Sequence, residues 1–261
     1  KPQGDREVVL HLSQVLTINE NLANLLAQRG VSTFEEAKGY FRPQLEHLHD
    51  PFLMKDMDKA VERIETAIRK NEKILVYGDY DVDGTTAVAL LYTFLNHFHE
   101  RLDYYIPDRY KEGYGVSFEG LDYAYSSNCK LVITLDCGIK ATEKILYART
   151  KGLDVIICDH HYPGGDIPKA LAVLDPKQPG CSYPYKELSG CGVGFKLVHA
   201  YSKIHGIPFY SILNYLDLVA VSIASDIVPI TGENRVLAYY GLKQLNDSPR
   251  TGLREIIREA E

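Results

Sequence analysis

Apolar positions along this chain fall into two textures. Up to about residue 70 they come in short stretches at helical spacing, punctuated by Gly30, Gly39 and Pro51. After a brief apolar start at residues 8–12, this predicts small helices over 19–29, 33–40 and 56–70. Beyond residue 70 the runs become compact and rich in β-branched and aromatic residues, at 74–77, 104–106, 131–135, 155–158 and 171–174. Helical stretches alternate with them, including the nearly all-apolar residues 85–98. That rhythm predicts an α/β fold with a mainly parallel sheet flanked by helices. Residues 162–194 are rich in Pro, Gly and Tyr and too long for a plain connector, which suggests a site-lining loop. A helical pair at 213–225 and 236–245 follows, and the charged tail 253–261 reads as a connection cut short. The expected organisation is a helical region over 1–70, a sheet domain over 71–247 and the start of a connecting helix over 248–261.

The first strand runs into Asp79-Tyr80-Asp81-Val82-Asp83-Gly84, which places three acids in a strand-to-helix turn. Clustered carboxylates that lose hydration together need a positive charge among them, and a divalent cation is the usual one. Asp136 follows the run 131–135, and Asp159-His160-His161 follows 155–158. Parallel strands end on the same side of the sheet, so three separate segments deliver metal-type ligands to one place. A single Asp at a strand end often does no more than cap the next helix. Three in register argue for a site. Asp226 ends a stretch that is apolar nearly all round, where an anion faces the negative end of a helix in apolar surroundings. It is expected to be a further ligand.

Mixed carboxylate and imidazole ligands suit Mn²⁺, with Mg²⁺ as the alternative, and no thiolate spacing points to structural zinc. Such a set can hold two cations about 3.5–4 Å apart, the arrangement of metal-assisted phosphoryl hydrolysis. Asp136, central in the sheet, is the expected shared ligand.

Composition changes this picture little. The 261 residues carry a net charge of −6, without the basic signature of many nucleic-acid binders. Acids serving as metal ligands would account for part of that balance. Five cysteines without C-x-x-C spacing suggest free thiols and a cytoplasmic location. No apolar run is long enough to span a bilayer, so no membrane association is expected.

Read in order, the motifs resemble those of a known family. They are Asp79 to Gly84, Ile106-Pro107-Asp108-Arg109-Tyr110-Lys111-Glu112-Gly113-Tyr114-Gly115, Leu135-Asp136-Cys137-Gly138, Asp159-His160-His161, and Ser225-Asp226-Ile227-Val228-Pro229 with Gly232-Glu233-Asn234-Arg235. The chain from about 70 to 245 resembles the DHH-family phosphoesterases, and within them the RecJ-type single-strand-specific DNA exonucleases. The resemblance implies metal ligands at Asp81, Asp83, Asp136, His160 and Asp226, with Asp136 shared between two Mn²⁺ or Mg²⁺ ions. It implies that His161 contacts the scissile phosphate or helps proton transfer, and that Arg109 clamps phosphate. Ser189, Gly190 and Gly192, opening a helix, are expected to form an anion nest. Asn234 and Arg235 are expected to touch the strand's backbone. Two positions depart from the family pattern. Tyr77 stands where many members have His, so the first metal is expected to be held more weakly or by Asp79 through water, and Asp108 stands where Asn is common.

The expected activity is 5′→3′ hydrolysis of single-stranded DNA in recombination and repair, with a helicase or single-strand-binding protein as partner. The alternatives are a small-substrate relative (a pyrophosphatase, a cyclic-dinucleotide or short-oligonucleotide hydrolase) and a non-catalytic replication scaffold. Family members are longer, so the chain resembles a catalytic-core fragment with feeble, poorly processive activity.

Overall fold

The computed structural model describes residues 3–260. Residues 1 and 2 of the expected helical region and Glu261 of the expected tail lie outside the described residues. The chain forms two compact units, residues 1–48 and 49–261. The first holds helices α1 (Arg6–Leu16), α2 (Glu20–Ala27) and α3 (Phe34–Phe41). The apolar start at residues 8–12 is the inner stripe of α1, with Val9 and Leu12 buried against Ala23, Leu26, Val31 and Ala37. Asp5 caps α1, Asn19 caps α2, and Thr33 with Glu36 forms a reciprocal capping box on α3.

The second unit begins with α4 (Met57–Arg69), so the boundary falls near residue 48 rather than 70. α4 buries Met57, Ala60, Val61, Ile64 and Ala67, a stripe that packs on the sheet. Then follow β1 (Lys73–Gly78), α5 (Val82–Leu95), β2 (Leu102–Tyr105), α6 (Phe118–Ser126), β3 (Cys129–Leu135), α7 (Thr142–Thr150), β4 (Asp154–Cys158) and β5 (Ala172–Leu174). After the long loop come α8 (Gly190–Ile204), α9 (Leu216–Ser225), α10 (Gly232–Asp247) and α11 (Thr251–Ala260). All strand pairs are parallel, in the order β2-β1-β3-β4-β5.

Both faces of the sheet are covered, which is why its strands read as continuous apolar runs. Leu75, Tyr77, Val132, Val155 and Ile157 face α6 and α7, whereas α4, α5 and α8 lie on the other side. α9 packs on α5 and α8, with α10 behind it. Strand order reverses between β1 and β3, opening a crevice at their carboxyl ends. No helix among the described residues is long and apolar enough to cross a membrane.

Candidate metal centre

The turn after β1 and the segment after β3 meet at that crevice. Asp81 caps α5, its Oδ1 accepting from the Gly84 amide at 2.9 Å. Glycine is required at position 84, because a Cβ there would lie 2.5 Å from the Asp79 carbonyl oxygen. Asp83, in the first turn of α5, is buried and accepts from the amides of Gly190 and Cys191 and from Ser222 Oγ, each at 2.7 Å. Asp136 leaves β3 in the left-handed region at φ 60, and Ile227 beside Asp226 does so at φ 57. A β-branched residue in that region is strained, and such strain gathers at functional sites.

These side chains converge on His160. Its Nε2 lies 3.1 Å from Asp136 Oδ1, 3.6 Å from Asp226 Oδ2 and 3.7 Å from Asp83 Oδ2. Two triads, Asp83–His160–Asp226 and Asp136–His160–His161, hold ligand atoms within 4.8 Å of one another. Both Asp136 oxygens and both His160 ring nitrogens are buried without a hydrogen-bond partner. Leaving such groups unsatisfied is costly, and a cation bound among them removes the cost. Burial, reinforced by the charges of Asp83 and Asp81, pushes the Asp136 carboxyl up to about 12. Burial also raises Asp83, and holds His160 below its usual value against the pull of Asp83. Neutral imidazole and acids short of positive charge are the ligand state a divalent ion would take up.

Asp159, given no role by its motif alone, fixes the second histidine. Its Oδ1 accepts from His161 Nδ1 at 2.7 Å and from the amides of His160 and His161, while Oδ2 accepts from the Ile139 amide. Burial opposes its ionisation, but the His161 ring and these amides outweigh it and hold the carboxyl below its usual value. His161 is raised in turn, chiefly by Asp159. Its Nε2 meets the Tyr114 hydroxyl at 3.2 Å. An aromatic strip runs outward from there. Tyr114 stands edge-on to Tyr80, and the Arg109 guanidinium lies 5.3 Å from the Tyr80 ring centre. Arg109 is exposed and makes no ion pair with Glu112, whose oxygens take Tyr105, Ser117 and the Asp108 amide.

Several expected substrate contacts are corrected. The first turn of α8 does bind an anion, but it is the protein's own Asp83. Ser189, Gly190 and Gly192 are buried, and Ser189 accepts from the Gly192 amide as the helix cap. Asn234 is also buried, donating to the carbonyls of Glu187 and Pro229, so it braces the loop after Asp226. Arg235 is half-buried and already engaged. Tyr77, in the position where relatives were expected to carry His, is fully buried and stacked on Tyr105. Its hydroxyl donates to the Gly115 carbonyl and accepts from the Ser117 amide. Asp79 stays beside the cluster, with Oδ1 on the Tyr80 amide and Oδ2 buried without a partner. Asp108 folds back on the amides of Tyr110 and Lys111, closing its own turn.

Fold and cluster together define an open parallel α/β protein with a carboxylate and imidazole centre at its switch point. Residues 73–223 match the DHH family, N-terminal domain, and the chain belongs to this family. It is 42% identical over 254 residues to the single-stranded-DNA-specific exonuclease RecJ of Bacillus subtilis, covering 97% of this chain and 32% of the relative. The Escherichia coli RecJ is 32% identical over 250 residues, covering 92% and 43%. The chain therefore spans less than half the length of these relatives. Among solved structures, RecJ of Thermus thermophilus in complex with Mn²⁺ superposes with a TM-score of 0.80 at 28% identity, covering 99% of this chain and 36% of that one. A manganese-bound exonuclease RecJ gives 0.73 at 34% identity, covering 83% and 54%.

Proposed function

We propose that this chain is a metal-dependent phosphodiesterase that degrades single-stranded DNA from the 5′ end, in recombination and repair. The observation that carries the reading is the set of unpartnered buried atoms on Asp136 and His160, ringed by Asp83 and Asp226. Asp81, Asp83, Asp136, His160 and Asp226 would hold the cations, Mn²⁺ or Mg²⁺, with Asp136 shared and Asp79 in support. Bound there, the metal would lower the pKa of a water to make the nucleophile and would neutralise charge on the phosphoryl oxygens.

The chain's own groups supply the rest. Asp159 holds His161 with Nδ1 protonated and Nε2 turned toward Tyr114, where it can orient a phosphate oxygen or pass a proton to the leaving group. Arg109, free of acidic partners among the described residues, can close on phosphate from the outer end of the aromatic strip. The RecJ relatives support single-stranded DNA over small substrates, and the intact acid set favours catalysis over a scaffold role. Cytoplasmic location and a helicase or single-strand-binding partner belong to the same reading.

The test is Mn²⁺-dependent hydrolysis of end-labelled single strands beside duplex, dinucleotides and pyrophosphate. The reading expects mononucleotides released from the 5′ end of single strands. Preference for dinucleotides or pyrophosphate would move the chain to the small-substrate class.

A further inference from the structure

Beside His161 and Asp159 lies a cavity of about 250 Å³, just below the usual size of ligand pockets. Tyr114, Val116, Ile139 and Ala141 give it apolar walls, and two lysines, Lys140 and Lys144, also line it. Lys140 is exposed and Lys144 half-buried, and neither is in an ion pair or hydrogen bond among the described residues. Asp159 also lines the cavity, but His161 and the Ile139 amide occupy its carboxylate. Two free cations beside an acid-rich centre, over apolar walls, have no structural work to do where they stand.

Resting on the reading above, we propose that this cavity is a subsite for one nucleotide next to the scissile bond, with Lys140 and Lys144 binding its phosphate. Cations held among the acids would answer the charge of the scissile phosphate only. A neighbouring phosphate of the same strand would face those acids unless it had positive charge of its own, and the two lysines provide it at the next position beyond His161. The apolar walls, with the Tyr114 ring, suit a sugar or base face.

The test is binding of a fluorescent oligothymidylate to the metal-free protein across a salt series, for the wild type, the double variant Lys140→Gln/Lys144→Gln and the charge-keeping Lys140→Arg/Lys144→Arg. Leaving that one phosphate unneutralised should flatten the slope of log K against log salt by about 0.7, and the Arg pair should restore it. With Mn²⁺, kcat/KM of the Gln variant should fall about tenfold further for the oligonucleotide than for bis(p-nitrophenyl) phosphate, which lacks a second phosphate. An unchanged slope, or equal losses on both substrates, would overturn the subsite. A wild-type chain that hydrolyses the aryl diester but neither binds nor cuts the oligonucleotide would instead sink the single-strand reading, and the subsite with it.

Discussion

Gly190 lets the first turn of α8 press directly on Asp136: a Cβ at position 190 would lie 2.6 Å from the Asp136 Cβ and 2.7 Å from its Oδ1. The Asp136 Cβ is fixed to the backbone and cannot swing away, so relief needs a shift of one of the two segments. The same turn carries the amides that bind Asp83. Gly190→Ala should therefore separate the two carboxylates while leaving most of the sheet intact. The expected result is a folded protein whose melting temperature no longer rises on adding Mn²⁺. Gly165→Ala, where a side chain meets nothing within 4 Å, should keep the rise.

Asp136 is buried at φ 60 and its carboxylate has no hydrogen-bond partner, so the charged side chain costs the metal-free fold more than it contributes. Asn tolerates the left-handed region and carries no charge. Asp136→Asn should raise the melting temperature of the metal-free protein, remove the Mn²⁺-induced rise and abolish hydrolysis. Full activity of this variant at saturating Mn²⁺ would exclude Asp136 as the shared ligand.

Ser222 binds no cation in this scheme, yet it decides how Asp83 sits. Its hydroxyl is 2.7 Å from Asp83 Oδ1 and 2.6 Å from Ser189 Oγ, with both serines fully buried. Partners behind metal ligands typically carry about 10–100-fold in metal affinity. Ser222→Ala should weaken Mn²⁺ binding by that order in calorimetry, with kcat largely recovered at saturating metal. Unchanged affinity would show that the two helix amides alone orient Asp83.

The sheet was legible because its strands are buried on both faces, and residues 74–77, 131–135 and 155–158 announce themselves as continuous apolar runs. The acids at their ends followed from parallel topology alone. What sequence could not supply was pairing across distance. The glycine run at 190–194 looks like an anion nest because it is one, but Asp83, more than a hundred residues earlier, fills it. Asn234 looked like a substrate contact because nothing in its neighbours reveals the carbonyls it braces. Asp159 stands out as an acid at a strand end, as Asp136 does, but its hold on His161 shows only in the fold. Lys140 and Lys144 carry no motif, and only the fold places them beside His161.

Asp175, just after β5, supplies a pH dependence. It is fully buried, one oxygen lacks a partner, and burial pushes its carboxyl up to about 7. A folded-state value above the unfolded one means its contribution is fully present below about pH 4. That contribution is lost as pH rises through 7. Asp175→Asn should leave stability near pH 4 almost unchanged and raise it above pH 7. Denaturant melts at both pH values check this, and an equal effect at the two would refute it.

Lys196 and Glu233 form a fully buried ion pair at 2.9 Å that joins α8, which holds Asp83, to α10, which follows Asp226. Lys196 also donates to the His49 carbonyl, and Glu233 accepts from the His49 amide and from the Tyr183 hydroxyl. Removing one partner strands the other charge, so Lys196→Met should cost about 3–5 kcal/mol. Replacing both, as Lys196→Met with Glu233→Gln, keeps an acceptor for Tyr183 and leaves no lone charge. The double variant should recover much of the stability. If the pair also sets the spacing of the two helices, Mn²⁺ affinity should stay reduced in the double variant even though its melting temperature returns. Recovery of both would mean that the pair serves the fold alone.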